Sequence, residues 1–292
     1  MTMLYNRYLY IFLSLLTQGL FAQFEPDSKN DTLAEKSKFR IALAYASDYY
    51  FMGRVDSVRA PYLTPSLAYY HKSGLFIKTS LSYLTASNEG RIDLFRLSGG
   101  YDISVKKFGA GISLSEYFFS ESSFVVQSEM STYLYGYSEY EFKFIKLYLD
   151  GSLGFSSTTD VFLGLEINHT FRTLKNKLRI IPAFYLNAGT QKYYSDYITN
   201  RSSKSIKNAN GTVKGQQTAN STVYTTTETQ SFEMLDYEAD IQFIYVFNKF
   251  RVFMSPTWLF PVNPATIVTA SGTSAEELKN GFYFSMGIRF TL

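Results

Sequence analysis

The sequence predicts an all-β protein, a transmembrane up-and-down antiparallel β-barrel of about 12 strands. Three observations predict it. Apolar and polar residues alternate through most of the chain after residue 37, the connections between alternating segments are short and long in turn, and the chain ends in an amphipathic strand. We expect residues 38–292 to form the barrel.

The final segment shows the alternation most clearly. One face is wholly apolar and consists of Phe282, Phe284, Met286, Ile288, Phe290 and Leu292. The other face carries Tyr283, Ser285, Gly287, Arg289 and Thr291. Successive side chains of a strand point to opposite sides, so one face suits lipid and the other suits water. Such a chain end resembles the insertion signal of outer-membrane barrels, which predicts the barrel-assembly machinery, outer-membrane lipid and lipopolysaccharide as partners.

The connections predict which end of each strand faces which side of the membrane. Short basic turns are expected near residues 71–74, 106–107, 143–146, 175–177 and 248–249. Longer polar loops are expected near residues 52–60, 85–91, 119–130, 156–160, 190–232 and 261–279. Tight periplasmic turns that alternate with long external loops are typical of outer-membrane barrels, and they predict an even strand number with both termini on the periplasmic side.

The N-terminal residues predict export. Arg7, the apolar run over 9–16 and the small residue Ala22 are typical of a signal peptide over 1–22. Residues 23–37 are polar and charged, and we expect a flexible periplasmic tail there. The predicted location is the bacterial outer membrane.

Composition excludes several functions. The chain has no cysteine, so disulfides and thiolate catalysis are excluded. A net charge of +3 is too weak to predict a nucleic-acid surface. A soluble β-sandwich would alternate in the same way, but the aromatic clusters at predicted strand ends favour a membrane. They include Tyr49 to Phe51, Tyr69-Tyr70, Tyr117 to Phe119 and Trp258, and we expect them at the membrane–water interface.

Alternation also predicts which charged side chains line the lumen. They are Arg40, Lys78, Arg96, Asp150, Glu166, Arg179, Asp236, Glu238, Asp240 and Arg289. Asp236, Glu238 and Asp240 share one face of one strand. They could line a path for cations or bind a divalent ion through oxygen, or they could pair with lumenal arginines and brace the barrel.

The predicted function is a channel or transport barrel for small polar solutes, with lumenal charges setting the preference. One alternative is a non-conducting structural or binding barrel that acts through its external loops, including the long loop over 190–232. Another is an embedded lipid hydrolase that uses His169, but no serine lies two residues away on the same face. We therefore expect no enzyme, no catalytic residue, no metal site and no cofactor. The sequence does not predict the oligomeric state.

One short motif points to a family. Ser47, Asp48, Tyr49, Phe51 and Gly53 match the Ser-Asp-Tyr-x-Phe-x-Gly strand end of the Gcw_chp/TorF-like family of bacterial outer-membrane proteins. Pro61, Pro65, Tyr70 and Gly74 fit the second strand and hairpin of that family, whereas Met52 stands where the family usually has Arg. The resemblance covers roughly the first third of the mature chain. It implies a barrel and supplies no catalytic residues.

Overall fold

The computed structural model describes residues 36–86, 90–156, 158–198, 231–269 and 272–292, without the side chains of 266–274. The predicted signal peptide over 1–22 lies outside the described residues, as does the predicted tail over 23–37 except for its last two residues. Residues 199–230 of the loop predicted over 190–232 also lie outside them.

Within the described ranges, twelve long strands form one closed antiparallel barrel. They are β1 (Lys38–Ala46), β4 (Tyr62–Tyr70), β5 (Leu75–Leu84), β6 (Arg91–Val105), β7 (Phe108–Phe119), β8 (Thr132–Glu141), β9 (Lys146–Phe155), β10 (Thr159–Asn168), β12 (Leu178–Gly189), β13 (Glu233–Phe247), β14 (Phe250–Pro261) and β17 (Gly281–Thr291). The short strands are β2 (Tyr50–Phe51), β3 (Arg54–Val55), β11 (Phe171–Thr173), β15 (Thr266–Thr269) and β16 (Gly272–Ala275).

Each barrel strand pairs with its neighbours in the chain, and the sheet closes where the first strand meets the last. β1 pairs with β4 on one side and with β17 on the other. The pairing of β10 with β12 completes the ring. A closed ring leaves no unpaired strand edge, which a lipid environment would not tolerate. The predicted twelve-stranded up-and-down barrel is therefore confirmed.

The connections define two different ends of the barrel. The short-turn end carries the tight turns, such as those over 71–74 and 106–107, together with the start of β1 and the end of β17. The long-loop end carries the connections over 47–61, 120–131 and 262–280, which contain short strands or turns. The predicted alternation of short and long connections is present in most of the ring. Two connections depart from it: the loop predicted over 156–160 is reduced to residues 156–158, and the short-turn connection after β10 spans 169–177 and contains β11.

Burial follows the strand alternation and is inverted relative to a water-soluble protein. Along β5, Leu75 and Ile77 are exposed, whereas Lys78 and Ser80 are buried. The same pattern recurs around the ring, with apolar side chains outside and polar ones inside. A soluble sandwich would bury its apolar face, so that alternative is wrong. The described part of the chain contains no helix long and apolar enough to cross a bilayer.

Candidate functional site: the lumen and its cap

The interior of the barrel has an apolar end and a mainly polar remainder, in which two smaller buried clusters form around Ile181 and Phe253 and around Tyr148 and Tyr185. At the long-loop end, buried apolar side chains from the loops meet inward-facing side chains of the strands. We call this cluster the cap. It contains Ala46, Tyr49, Phe51, Met52, Ala60, Tyr62, Leu84, Leu94, Tyr117, Phe124, Val125, Val126, Met130, Tyr133, Phe162, Tyr193, Tyr194, Tyr197, Leu235 and Ala265. Because its members come from strands all around the ring, the cap crosses the lumen.

Phe51 contacts three other aromatic rings of the cap. Its ring centroid lies 5.0 Å from that of Tyr193 and 5.3 Å from that of Phe162, with nearly perpendicular ring planes. The ring of Tyr133, which belongs to β8, lies 6.5 Å away. Edge-to-face contacts of this kind stabilise aromatic clusters beyond the effect of burial alone. Phe51 therefore links the first external connection, which follows β1, to the part of the barrel wall formed by β8 and β10.

Arg54 ties the external connections to one another. The guanidinium group is 1% exposed, and its Nε lies 3.0 Å from Oε2 of Glu276. Its Nη2 donates to Oε1 of Gln191 and to the carbonyl oxygen of Asn263. A buried arginine that loses its partner leaves a costly uncompensated charge. The connections after β1, β12 and β14 are thus joined through one side chain.

Two buried aspartates anchor loops to strands at the same end. Asp93 of β6 accepts hydrogen bonds from the hydroxyl groups of Tyr62 and Ser120 and from the backbone N–H of Phe124. Asp160 of β10 accepts from the backbone N–H groups of Lys192 and Tyr193, where a short helix over 192–198 begins. Carboxylates at a helix start satisfy N–H groups that have no partner within the helix.

The family-like motif builds the cap. Asp48 accepts hydrogen bonds from the backbone N–H groups of Tyr49 and Ala60, and it thereby closes the connection into a loop. Gly53 has a φ of +73°, and a Cβ there would lie 2.9 Å from Cβ of Asp236. Glycine adopts this backbone conformation without strain and leaves room for the strand behind it.

The cap corrects two sequence predictions. Tyr49, Phe51 and Tyr117 were expected at the membrane–water interface, but they are buried inside the barrel mouth, and Tyr70, expected at the interface too, is buried beside the lumen. The loop expected to be polar over 119–130 buries Phe124, Val125 and Val126. Its apolar triplet is the signal that could have identified an inward-folded loop. Trp258 is 40% exposed on the outer face, as expected for an interfacial aromatic residue.

Below the cap, four basic side chains surround a cavity, which we call the basic cavity. Arg40, Lys78, Arg96 and Arg289 line it together with the small residues Ala42, Ser66, Ala68 and Ser80. Its volume is about 40 Å³, and it opens into the lumen. All four basic residues were predicted to face the lumen, and each is at most 9% exposed.

The opposite part of the wall is acidic. Asp150, Glu166, Asp236, Glu238 and Asp240 come from β9, β10 and β13, and they are buried, as is Arg179 of β12. Asp236 accepts a hydrogen bond from Asn187, and Asp240 accepts from Ser255 and Tyr185. Asn187, Ser255 and Tyr185 are neutral donors, but Asp236 also shares a hydrogen bond with Glu238 and lies within the electrostatic reach of Arg54.

Two further sequence hypotheses find no support. No group of three or more His, Cys, Asp or Glu residues in the described ranges is arranged to hold a metal ion. His169 is paired through Nδ1 with the carbonyl oxygen of Phe144, and its ring packs against Phe171. No hydroxyl or carboxylate hydrogen-bonds to this ring among the described residues, so the hydrolase alternative lacks its catalytic partner.

Comparison with known proteins gives likeness of architecture only. No protein-family model and no curated protein matches the chain, so the resemblance to the Gcw_chp/TorF-like family is not confirmed. Among solved structures, the KdgM porin aligns with a TM-score of 0.47 at 8% identity, over 86% of this chain and 98% of that one. The NanC porin gives 0.46 at 9% identity, over 87% of this chain and 100% of that one. We draw no functional conclusion from likenesses at this level.

The class of protein follows from the geometry. A closed antiparallel sheet with an apolar outer face and a charged interior is the architecture of membrane-spanning β-barrels. Single-chain antiparallel barrels with short turns at one end and long loops at the other belong to bacterial outer membranes. The chain is therefore a bacterial outer-membrane β-barrel in contact with membrane lipid.

Proposed function

We propose that the protein is a channel for small polar solutes that is closed at its outer end by the cap. The observation that best supports this channel is the enclosed polar interior. Charged side chains are buried there, while their neighbours along each strand face lipid. Twelve strands enclose more space than the filled eight-stranded barrels and less than the wide porins of about 16 to 18 strands. A narrow hydrophilic passage is the use that this interior favours.

The ten charged residues predicted for the lumen carry the solute preference in this proposal. Their burial inside the ring, on two wall segments of opposite charge, supports that role. A charged wall attracts solutes of opposite sign into a narrow passage and repels those of like sign.

A second candidate function is a non-conducting barrel that binds partners through its external loops. The cap itself favours this alternative, because aromatic side chains fill the lumen from wall to wall at the long-loop end. The two candidates differ in one respect, which is whether the cap opens.

We further propose that the resemblance of residues 47–54 to the Gcw_chp/TorF-like family reflects descent. The five residues of this motif that match the family pattern support that proposal. We also propose two partners, the barrel-assembly machinery, which would recognise the last strand, and lipopolysaccharide. The apolar face of β17 supports this.

Planar-bilayer recordings of the purified barrel test the channel. We expect wild-type protein to be mostly closed and the Phe51→Ala variant to conduct in steps, because the substitution removes the ring that joins loop and wall. The matched control is Phe118→Ala on β7, whose ring is exposed on the outer face. This control should behave as wild type.

The recordings separate the two candidates. If wild type and Phe51→Ala are both silent although folded, the non-conducting barrel is correct and the channel proposal is wrong. If wild type is already fully open and Phe51→Ala does not raise the current, the cap does not close the lumen.

A further inference from the structure

The strand register gathers the four cations of the basic cavity around small side chains. Arg40 of β1 and Lys78 of β5 both lie opposite Ala68 on the strand between them. One row nearer the cap, Arg289 lies opposite Ala42, and Arg96 lies opposite Ser80. Long basic side chains therefore surround a floor of alanine and serine, and this arrangement leaves the cavity open.

Aromatic rings hold these cations in place. The guanidinium carbon of Arg40 lies 4.2 Å from the ring centre of Tyr70. The ammonium nitrogen of Lys78 lies 4.1 Å from the ring centre of Phe76 and 5.4 Å from that of Tyr70. Cations held over ring faces keep a fixed geometry and lose less conformational freedom when a ligand binds.

The cavity also offers a neutral hydrogen-bond group. Oγ of Ser80 is buried and has no hydrogen-bond partner among the described residues, and Ser80 belongs to the cavity wall. A buried hydroxyl without a partner is costly unless a ligand or water satisfies it. None of the described residues that line the cavity is acidic.

We infer that the basic cavity is a binding site for the oxyanion group of a small organic solute, a carboxylate or a phosphate ester. Arginine forks match such groups in shape, and lysine adds a point charge. The inference rests on the proposed function in one respect, because the solute would reach the cavity along the lumen of the channel. Binding itself requires no current across the membrane.

The site is tested by calorimetric titration of the detergent-solubilised barrel at low ionic strength. Citrate serves as the carboxylate probe and inorganic phosphate as the phosphate probe. We expect saturable binding of at least one probe, which weakens as potassium chloride is added. Lys78→Gln and Arg96→Gln should each weaken binding about tenfold, the effect expected when one charge-assisted contact is lost.

The matched control is Arg172→Gln on β11. Arg172 is a half-buried arginine that does not line the basic cavity and is not among the ten predicted lumenal charges. It should bind both probes as wild type does. The heat-dependent shift in gel mobility of folded barrels verifies that each variant is folded, and either cavity variant alone suffices for the test.

The outcomes separate this site from the channel proposal. If neither probe binds, or if the cavity variants bind as wild type does, the oxyanion site is wrong. Binding without any current through Phe51→Ala supports the site and overturns the channel. Current through Phe51→Ala with no probe binding overturns the site and leaves the channel standing.

Discussion

The cap and the polar lumen share inward-facing positions on the same strands, yet those positions differ in chemistry at the two levels of the barrel. On β6, Leu94 belongs to the cap, and Arg96, two residues further along the same face, lines the basic cavity. The change from an apolar to a charged interior therefore takes place between two successive inward-facing residues of one strand.

This contrast shows that side chains inside the barrel are packed in two different ways. Below the cap, an inward-facing side chain meets only side chains of other strands. Polar groups and unfilled space can therefore remain there. In the cap, loops fold back and supply a second layer, as in a soluble protein core. Phe124, Val125 and Val126 from one loop and Tyr193 from another provide that layer. Sequence alternation governs the first arrangement and not the second.

The largest expected effect comes from the ion pair that joins the external connections. Arg54→Met leaves Glu276 buried without its partner, and we expect the free energy of cap opening to fall by about 3–5 kcal/mol. Hydrogen–deuterium exchange of residues 47–61 measures this opening. The double variant Arg54→Met with Glu276→Met should recover much of the loss, since no charge is left uncompensated. Equal exchange in the single and double variants would contradict the role of the pair.

A somewhat smaller effect is expected on the membrane-facing wall. Leu149 of β9 is 55% exposed on the outer face, and Leu149→Arg should lower the free energy of unfolding in liposomes by about 2–4 kcal/mol. The control is Leu174→Arg, an exposed leucine in a short turn, which should cost about 0–1 kcal/mol. If both substitutions cost the same, the outer face of β9 does not contact lipid.

The smallest effect concerns the polar anchors of the cap. Tyr62→Phe removes the hydroxyl group that donates to Asp93, while Ser123 and the N–H of Phe124 still donate to that carboxylate. We expect cap opening to become easier by about 1–2 kcal/mol, as measured by limited proteolysis of the loop over 120–131. Tyr69→Phe, whose ring is exposed on the outer face of the same strand, should leave proteolysis unchanged. Equal cleavage in both variants would show that Asp93 does not depend on this donor.

The barrel could be predicted because its determinants are local. Alternation assigns each side chain to a face, and the turns between strands have their own composition, so β1 and β17 were recognisable without tertiary information. The cap was not predictable in the same way. Whether Phe51 lies at a membrane interface or in a core depends on Phe162 and Tyr193, which are distant in sequence. The basic cavity lies between these cases, because the face of Arg40 follows from alternation while its position beside Lys78 follows from the register.

The most direct test of the central claim places spin labels on one strand. The chain has no cysteine, so a single cysteine at 62, 66 or 67 of β4 carries a unique label. In liposomes, the label at Leu67 should be accessible to oxygen and the label at Ser66 to a water-soluble nickel chelate. The label at Tyr62, inside the cap, should be shielded from the chelate. Equal chelate accessibility at 62 and 66, or no contrast between 66 and 67, would contradict a capped polar lumen inside a lipid-facing wall.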